Sequence, residues 1–378
     1  MRVVLVITRT YLEHVDKILD QRNVEIVAVV TDDRPMAIEH GFAHDLVFGL
    51  WQLQNVLNRF DPEYVLFLVP FRSTIENLSK KMREIKFPMN RICDLSDYIH
   101  DESKYLAMEI WKLKEDPNQY EIFSTGISYS KTGIDPNSFS LPLKSFAHSS
   151  QDLYYDFQIA KRILKVAPPP RDQNGIRYAL IGLAPYSLHY DLSRCVREAY
   201  FLSKYFVALD DLHNYWIDRE VLVKFIRPEH LQKLRESAKT FHYEYKLPTT
   251  TMSLSAALDA SNEISTWGRK SYPDTVAENK KILEDYLALL DSHEIFPILF
   301  LPPMMKEYQD GFCREKIDEL FSFIYDLMKR HRFAIVDGWK MKGFIDYDFR
   351  DINHLNINGA RKFSKILNDL VMKLESQR

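Results

Sequence analysis

The sequence has few cysteines, few glycines and no long apolar run, and each shortage excludes a class of protein. The three cysteines, Cys93, Cys195 and Cys313, lie far apart and show no CxxC spacing, which argues against a disulfide framework and against a thiolate zinc site. Only 11 glycines and as much as 13% aromatic residues exclude collagen-like and disordered chains, because so many rings must be buried. The sequence therefore predicts a folded protein in a reducing compartment.

The sequence also lacks a membrane-spanning segment and an excess of charge of either sign. The most apolar stretch, IFPILFLPP near residue 300, is shorter than the ~18 apolar residues that a bilayer span needs, and the first apolar run is too short for a secretory signal. The 50 basic and 53 acidic residues are mixed along the chain, so no long-range field would attract nucleic acid. We expect a cytoplasmic protein without a nucleic-acid partner, and the oligomeric state stays open.

Strand patterns that alternate with helical patterns predict an α/β fold with two domains. In residues 1–116, three β-branched runs separated by helical patterns are typical of parallel strands covered by helices. These runs lie at residues 3–7, 24–30 and 64–69. We predict a small Rossmann-like domain that ends in a linker helix. Its first strand is followed by Thr8 and no glycine, so the dinucleotide-binding fingerprint is absent.

The remainder of the chain, residues 117–378, alternates strand and helix four times and predicts a second doubly wound parallel sheet. Ligands of such sheets bind at the carboxyl ends of the strands. A long, mostly helical insertion at 193–265 interrupts the alternation. Because of its position in this domain, we interpret the insertion as a candidate substrate lid.

Two segments could carry chemistry at the edge of the second sheet. Its first strand ends in FSTGISYS, where a tight turn could expose Ser128 for acyl transfer. The same Ser and Thr cluster is equally compatible with a helix cap. Before the last helix, Asp351 precedes His354 by three residues, so its carboxylate could orient a general base or could simply cap a turn. Together, the two segments favour one site at which they converge.

With these two segments, residues 118–375 resemble the SGNH or GDSL-type hydrolases, which have a flavodoxin-like fold. The resemblance lies in Gly126-Ile-Ser128 and in the spacing of Asp351 and His354. It implies that Ser128 is the nucleophile, that His354 is the general base and that Asp351 orients it. The continuation HLNxxGA resembles members of the family that modify polysaccharides.

Two other segments depart from the pattern of this family. The family offers a glycine amide to the oxyanion in its second block, whereas this chain has HSSQD at 148–152, and the amide of Ser150 is our candidate donor. The third block should contain an Asn near Ala184, and none is present. Loss of one such donor costs roughly 3–4 kcal/mol of transition-state stabilisation, unless a neighbour such as Tyr186 replaces it.

The sequence thus predicts a serine-dependent esterase or O-acyltransferase that acts on an acylated carbohydrate or polysaccharide precursor and uses no cofactor or metal. The missing Asn leaves an alternative, a catalytically degenerate SGNH-like binding or scaffold protein in surface-polysaccharide biosynthesis. A third reading makes residues 1–115 the functional part, as a sensor of nucleotide-linked sugars.

Overall fold

The structure is a computed structural model and describes residues 1–70, 72–167, 175–195, 201–252 and 273–377. The chain forms two compact units, and each is built from two separate segments. The first unit contains Met1–Met108 and Ser193–His242, and the second contains Glu109–Leu192 and Tyr243–Arg378.

Each unit contains a sheet of five strands, and every pair of neighbouring strands within a sheet is parallel. The first sheet consists of β1 (Arg2–Ile7), β2 (Glu25–Thr31), β3 (Val47–Gly49), β4 (Tyr64–Leu68) and β5 (Ile92–Asp94), in the order β3-β2-β1-β4-β5. The second consists of β6 (Ile122–Gly126), β7 (Leu143–Ser145), β8 (Tyr178–Gly182), β9 (Phe296–Leu301) and β10 (Ala334–Asp337), in the order β10-β9-β8-β6-β7. The predicted α/β class with two doubly wound parallel sheets is confirmed.

Helices flank both sheets. The first unit contains α1 (Val15–Ile18), α2 (Arg34–Glu39), α3 (Leu53–Phe60) and α4 (Arg72–Glu84), and the chain passes to the second unit within α5 (Tyr105–Glu115). Next come α6 (Ser128–Gly133), α7 (Leu153–Val166), α8 (Leu202–Leu209), α9 (Arg219–Phe225) and α10 (Pro228–Ser237). The remaining helices are α11 (Pro273–Ser292), α12 (Lys306–Gly311), α13 (Arg314–Leu327) and α14 (Ile357–Glu375). No helix in the described ranges is long and apolar enough to cross a membrane.

The first strand shows why these runs are apolar on both faces. Successive side chains of a strand point to opposite faces of the sheet. Val3, Leu5 and Ile7 belong to one hydrophobic core, whereas Val4 and Val6 belong to another. A sheet with a core on each face needs helices on both sides, as expected for parallel strands.

Residues 193–242 belong to the first unit, whereas the sequence analysis placed all of 193–265 in the C-terminal domain. Phe225 of α9 is fully buried in the core of the first sheet, and its ring centroid lies 5.2 Å from that of Tyr64 in β4. Ile226 forms an isolated bridge with Leu19. The expected domains are therefore corrected in two respects: the units divide after residue 108 and not after 116, and described residues of 193–242 contribute to the core of the first unit.

The rest of the predicted insertion divides between described and undescribed residues. Residues 243–252 belong to the second unit, and 253–265 lie outside the described residues.

Candidate active site

A sharp turn at the carboxyl end of β6 sets the position of Ser128. Gly126, the last residue of β6, has a φ of +133°, a conformation that glycine adopts readily and other residues rarely do. A Cβ atom at this position would lie 2.6 Å from the carbonyl oxygen of Gly182 in β8. After an extended Ile127, helix α6 begins at Ser128. The chain therefore leaves the sheet abruptly, and Ser128 is the first helical residue.

The turn lies where the order of the second sheet changes direction. Within that sheet β6 is the first strand along the chain, and it lies between the second, β7, and the third, β8. The chain therefore continues to one side of β6 and later to the other. Such a switch point leaves a crevice outside the carboxyl ends of the strands, and this crevice is the usual ligand site of open α/β sheets.

Ser128, His354 and Asp351 form a continuous series of hydrogen bonds. Ser128 Oγ lies 2.9 Å from His354 Nε2. On the other side of the ring, His354 Nδ1 lies 2.9 Å and 3.1 Å from the two carboxylate oxygens of Asp351. Because an ionised carboxylate can only accept, Nδ1 carries the proton, and Nε2 accepts from the serine hydroxyl. This is the arrangement of a nucleophile, a general base and an orienting acid.

The loop before α14 holds Asp351 in place as an anion. The backbone amides of Asn353 and His354 donate to Asp351 Oδ1 over 3.1 Å and 2.8 Å. Burial alone would raise the pKa of this carboxyl, but the hydrogen bond and charge of His354, together with the two amides, lower its pKa below the ordinary value. The carboxylate therefore stays ionised at neutral pH and can stabilise a protonated imidazole.

Tyr129 forms a wall against the imidazole. Its ring centroid lies 4.8 Å from that of His354. Its hydroxyl accepts from Asn353 Nδ2 over 3.3 Å and lies 3.1 Å from the hydroxyl of Tyr186. Burial, followed by the neighbouring hydroxyls of Tyr186 and Tyr308, raises the pKa of Tyr129 well above its ordinary value. Tyr129 is thus a neutral, anchored side chain that restricts the movement of the imidazole.

The predicted oxyanion donor Ser150 lies in the loop between β7 and α7. Its φ is +58°, and its carbonyl oxygen accepts a 3.1 Å hydrogen bond from the hydroxyl of Tyr190. Two residues earlier, the amide of His148 donates to the carbonyl oxygen of Gly126 over 3.1 Å. The loop is therefore joined to the strand end that precedes the nucleophile, and whether the Ser150 amide serves as a donor stays a prediction.

The second predicted donor, Tyr186, follows β8. Its side chain is buried, with 4% exposure, and its hydroxyl lies within hydrogen-bond distance of Tyr129, as described above. At the position where an Asn was expected, the amide of Ala184 donates to Ser187 Oγ over 2.8 Å. Tyr186 is therefore linked to the imidazole through Tyr129, and no described contact joins it to Ser128.

No family model and no curated protein matches the chain. Among solved structures, the chain is similar to one described as "a putative platelet activating factor from Streptococcus pneumonia". The sequence identity is 11%, the similarity covers 80% of this chain and 100% of that chain, and the TM-score is 0.41. The chemistry of the site is therefore inferred from its own geometry.

A buried carboxyl that the sequence did not predict lies beneath the turn before Ser128. Asp156 of α7 is 2% exposed, and its carboxyl group accepts hydrogen bonds from Gln151 Nε2, over 2.6 Å, and from the backbone of Gly126. Burial raises the pKa of Asp156 well above its ordinary value. The carboxyl group of Asp156 therefore helps to fix the backbone of Gly126. The sequence did not indicate this role, because Asp156 lies within an ordinary amphipathic helix.

The segment 243–252 was also missed as a neighbour of the site. Two backbone hydrogen bonds join it to the start of α14, over 2.8 Å, and to Phe349 in the loop before Asp351, over 3.1 Å. Its Tyr245 lies under the ammonium group of Lys131, 4.4 Å from the ring centroid. Lys131 is one turn after Ser128 in α6. The segment thus lies beside both parts of the candidate site.

The described residues contain no group of three or more His, Cys, Asp or Glu side chains that could hold a metal ion.

Proposed function

We propose that the second unit is a serine-dependent esterase or O-acyltransferase of SGNH type that acts on an acylated carbohydrate or polysaccharide precursor. The observation that supports the reaction is the hydrogen-bonded series Ser128–His354–Asp351 at the switch point of the sheet. The resemblance of the sequence to SGNH hydrolases supports the family and the substrate class.

In the proposed reaction, Ser128 Oγ attacks the carbonyl carbon of the ester while its proton passes to His354 Nε2. The protonated imidazole is stabilised by Asp351, which accepts from Nδ1. His354 then returns the proton to the leaving alkoxide, and the acyl group stays on Ser128. A water molecule or a sugar hydroxyl next attacks this ester while His354 takes its proton. The bond to Ser128 Oγ then breaks, His354 returns the proton to Oγ, and the free acid or a new ester is released.

A catalytically degenerate binding or scaffold protein is the second candidate. The observation that favours it is the position of the missing Asn, where Ala184 offers only a backbone amide and this amide donates to Ser187 Oγ. Without a side-chain donor near the developing oxyanion, the series of Ser128, His354 and Asp351 would have too little transition-state stabilisation to turn over esters efficiently.

Labelling with a fluorophosphonate probe separates the two candidates, because the probe reacts with activated serines. For the enzyme we expect rapid labelling near neutral pH, and we expect Ser128→Ala to abolish it and to lower kcat for an acetyl ester by about 10⁴-fold or more. Ser130→Ala is the matched control. It removes a buried hydroxyl from the same helix, two residues from the nucleophile, and should leave labelling unchanged.

Two results would contradict the proposal. If folded wild-type protein is not labelled anywhere between pH 6 and pH 9, the scaffold is the better explanation. If Ser128→Ala is labelled as fast as the wild type, the reactive serine is elsewhere in the chain.

A further inference from the structure

The first unit contains a cavity that belongs to no part of the proposed active site. Its volume is about 740 Å³, and all the residues that line it lie in the first unit. The walls come from the region of α1, from the turns around residues 99 and 104, and from α10. This volume is within the usual range of small-molecule sites, ~300–1,000 Å³.

The charge of the cavity is opposite to that of the whole chain. Five basic side chains and three carboxylates line it, which leaves a formal excess of two positive charges, whereas the chain as a whole has a net charge of -3. The basic residues are Lys17, Arg22, Lys104, Arg227 and Lys233. The acidic residues are Asp16, Asp20 and Glu229.

Part of this charge is neutralised by carboxylates of the wall and of its surroundings, and the pairing of Lys104 with Asp101, which does not line the cavity, leaves a formal excess of one positive charge. Arg22 forms two hydrogen bonds with Asp20, of 2.7 Å and 2.9 Å, and Lys104 pairs with Asp101 over 2.6 Å. Within the described ranges, Lys17 and Lys233 take part in no salt bridge, and both are exposed. Two ammonium groups are therefore available to a ligand.

Arg227 adds a cation whose position is fixed. Its Nε donates to the backbone carbonyl oxygen of Leu19 over 3.0 Å, and its own amide donates to the carbonyl oxygen of Ile18 over 2.7 Å. A guanidinium group that is anchored through Nε keeps its terminal N–H groups for an anion, and it loses little conformational entropy when the anion binds.

Two histidines of the wall respond to the same positive surroundings. Burial lowers the pKa of His14, and Lys17 lowers it further. Burial also lowers the pKa of His230, although a hydrogen bond to the carbonyl oxygen of Tyr98 raises it, and Lys233 and Lys104 lower it further. Both rings therefore favour the neutral form, which has one N–H. In His230 this N–H is on Nε2 and donates to the carbonyl oxygen of Tyr98 over 2.8 Å, so a ring N–H for a ligand comes from His14.

We propose that this cavity binds a phosphorylated small molecule, with Lys17, Lys233 and Arg227 as contacts to the phosphate oxygens. A phosphate group carries close to two negative charges at neutral pH and presents several acceptor oxygens, so it can contact all three of these cations at once. The buried Leu234 and the neighbouring Ile99 supply an apolar surface for the rest of the ligand.

Isothermal titration of the full chain with pyrophosphate and with UDP tests this proposal. We expect both probes to bind the wild type, and we expect the double variant Lys17→Ala/Lys233→Ala to bind at least ten-fold more weakly. Lys80→Ala is the matched control, because it removes an exposed lysine of α4 that does not line the cavity, and it should bind like the wild type. Affinity should also fall as salt concentration rises.

A second measurement places the ligand without any substitution. Binding in this cavity should shift the ring proton NMR signals of His14 and His230 and leave those of His293, on the second unit, unchanged. Two results overturn the proposal: no heat and no shift of His14 or His230 at 10 mM probe, or unchanged affinity in the double variant.

A phosphate group could also come from a lipid, and sedimentation with vesicles that contain phosphatidic acid distinguishes the two sources. Binding of UDP without binding to vesicles supports the small molecule, whereas binding to vesicles alone overturns it. Because Lys17 and Lys233 lie outside the series of Ser128, His354 and Asp351, these results are independent of the esterase proposal.

Discussion

Each of the two sheets has five strands that all run parallel to their neighbours, yet the strand orders of the two sheets differ. Numbered along the chain within each unit, the first sheet has the order 3-2-1-4-5 and the second has 2-1-3-4-5. These are the two common orders of doubly wound folds, and each has a switch point beside its first strand. The two units therefore offer equivalent places for a site, and among the described residues the hydrogen-bonded series of Ser128, His354 and Asp351 lies at the switch point of the second.

The residues directly after the first strand account for this difference. After β1, Thr8 has an extended backbone, with φ of -98°, and leads into a single 3₁₀ helix, Arg9–His14. At the end of β6, Gly126 has φ of +133° and allows Ser128 to begin a helix at the sheet edge. The strand order of a sheet therefore determines where a site can form, and the residues of the turn at the strand end determine which side chains lie there.

The largest effect on stability is expected from a substitution in the core of the first unit, to which both of its chain segments contribute. Phe225→Ala removes a fully buried ring from this core and should lower the free energy of unfolding by about 3–5 kcal/mol. Glu220→Ala, an exposed position of the same helix, should change it by less than about 0.5 kcal/mol. Urea unfolding followed by tryptophan fluorescence measures both.

Labelling of Ser128 by the fluorophosphonate probe should persist in folded Phe225→Ala, because the ring belongs to the first unit. Equal stability of Phe225→Ala and Glu220→Ala would show that 193–242 is not part of the core of the first unit.

A smaller effect is expected at the turn that distinguishes the two sheets. Gly126→Ala would place a Cβ atom 2.6 Å from the carbonyl oxygen of Gly182 in a backbone conformation that alanine rarely adopts, at a cost of roughly 3 kcal/mol. Gly41→Ala in the first unit has a similar φ of +104° but no atom within 4 Å, and should cost only about 1 kcal/mol. Thermal unfolding compares the two variants.

The labelling rate of Ser128 gives an independent check of the turn. It should fall in Gly126→Ala and stay unchanged in Gly41→Ala. A Gly126→Ala variant with wild-type stability and labelling would show that the left-handed turn is not needed to position the nucleophile.

The smallest expected effect is on the pH dependence of stability, to which two aspartates should contribute with opposite signs. Burial raises the pKa of Asp94, at the end of β5, above its ordinary 3.8, despite its hydrogen bonds from Ser96. The pKa of Asp351 is lowered below 3.8, as described above. Since the folded state binds the proton of Asp94 more tightly than the unfolded state does, acidification from neutral pH towards 3.8 stabilises the fold at this position. At Asp351, stability is lost as pH falls through 3.8 and then through the lower folded pKa.

Urea unfolding of Asp94→Asn and Asp351→Asn between pH 3 and pH 7 measures these two contributions. The stability of the wild type relative to Asp94→Asn should increase as pH falls, whereas its stability relative to Asp351→Asn should decrease. The same sign of slope for both variants would contradict the assigned shifts.

The central strands could be predicted from the sequence because each is an apolar run that is buried on both faces. The predicted runs at 3–7, 24–30 and 64–69 match β1, β2 and β4 to within a residue at each end. The three-residue strands β3, β5 and β7 were not predicted. Each pairs on one side only, and three residues are too few to show a periodicity.

The partner of a helical segment is harder to predict than the helix itself. The apolar spacing of Leu222 and Phe225 indicates that one face of α9 is buried, but it contains no information about which sheet covers that face. Phe225 contacts Tyr64, and Ile226, directly after α9, forms a bridge with Leu19. Both contacts join residues more than 150 positions apart in sequence. The assignment of 193–242 to the C-terminal domain therefore relied on chain order, and chain order was the wrong guide.

Ser128, Asp351 and His354 could be identified from the sequence because each belongs to a short pattern that its chemistry requires. Asp351 reaches the Nδ1 atom of His354 from three residues earlier in the same loop, and Ser128 follows the glycine turn. The supporting residues Tyr129, Asn353 and Asp156 give no such pattern, because a tyrosine, an asparagine or a buried acid occurs in many structural contexts.

The division of each unit between two chain segments has a consequence for synthesis on the ribosome. The core of the first unit includes Phe225 and Leu234, so it cannot close until translation has passed them, by which time the strands β6, β7 and β8 have already emerged. The nascent chain must therefore keep an unfinished N-terminal sheet in solution, with apolar surface exposed to chaperones, while a large part of the second sheet is already being made.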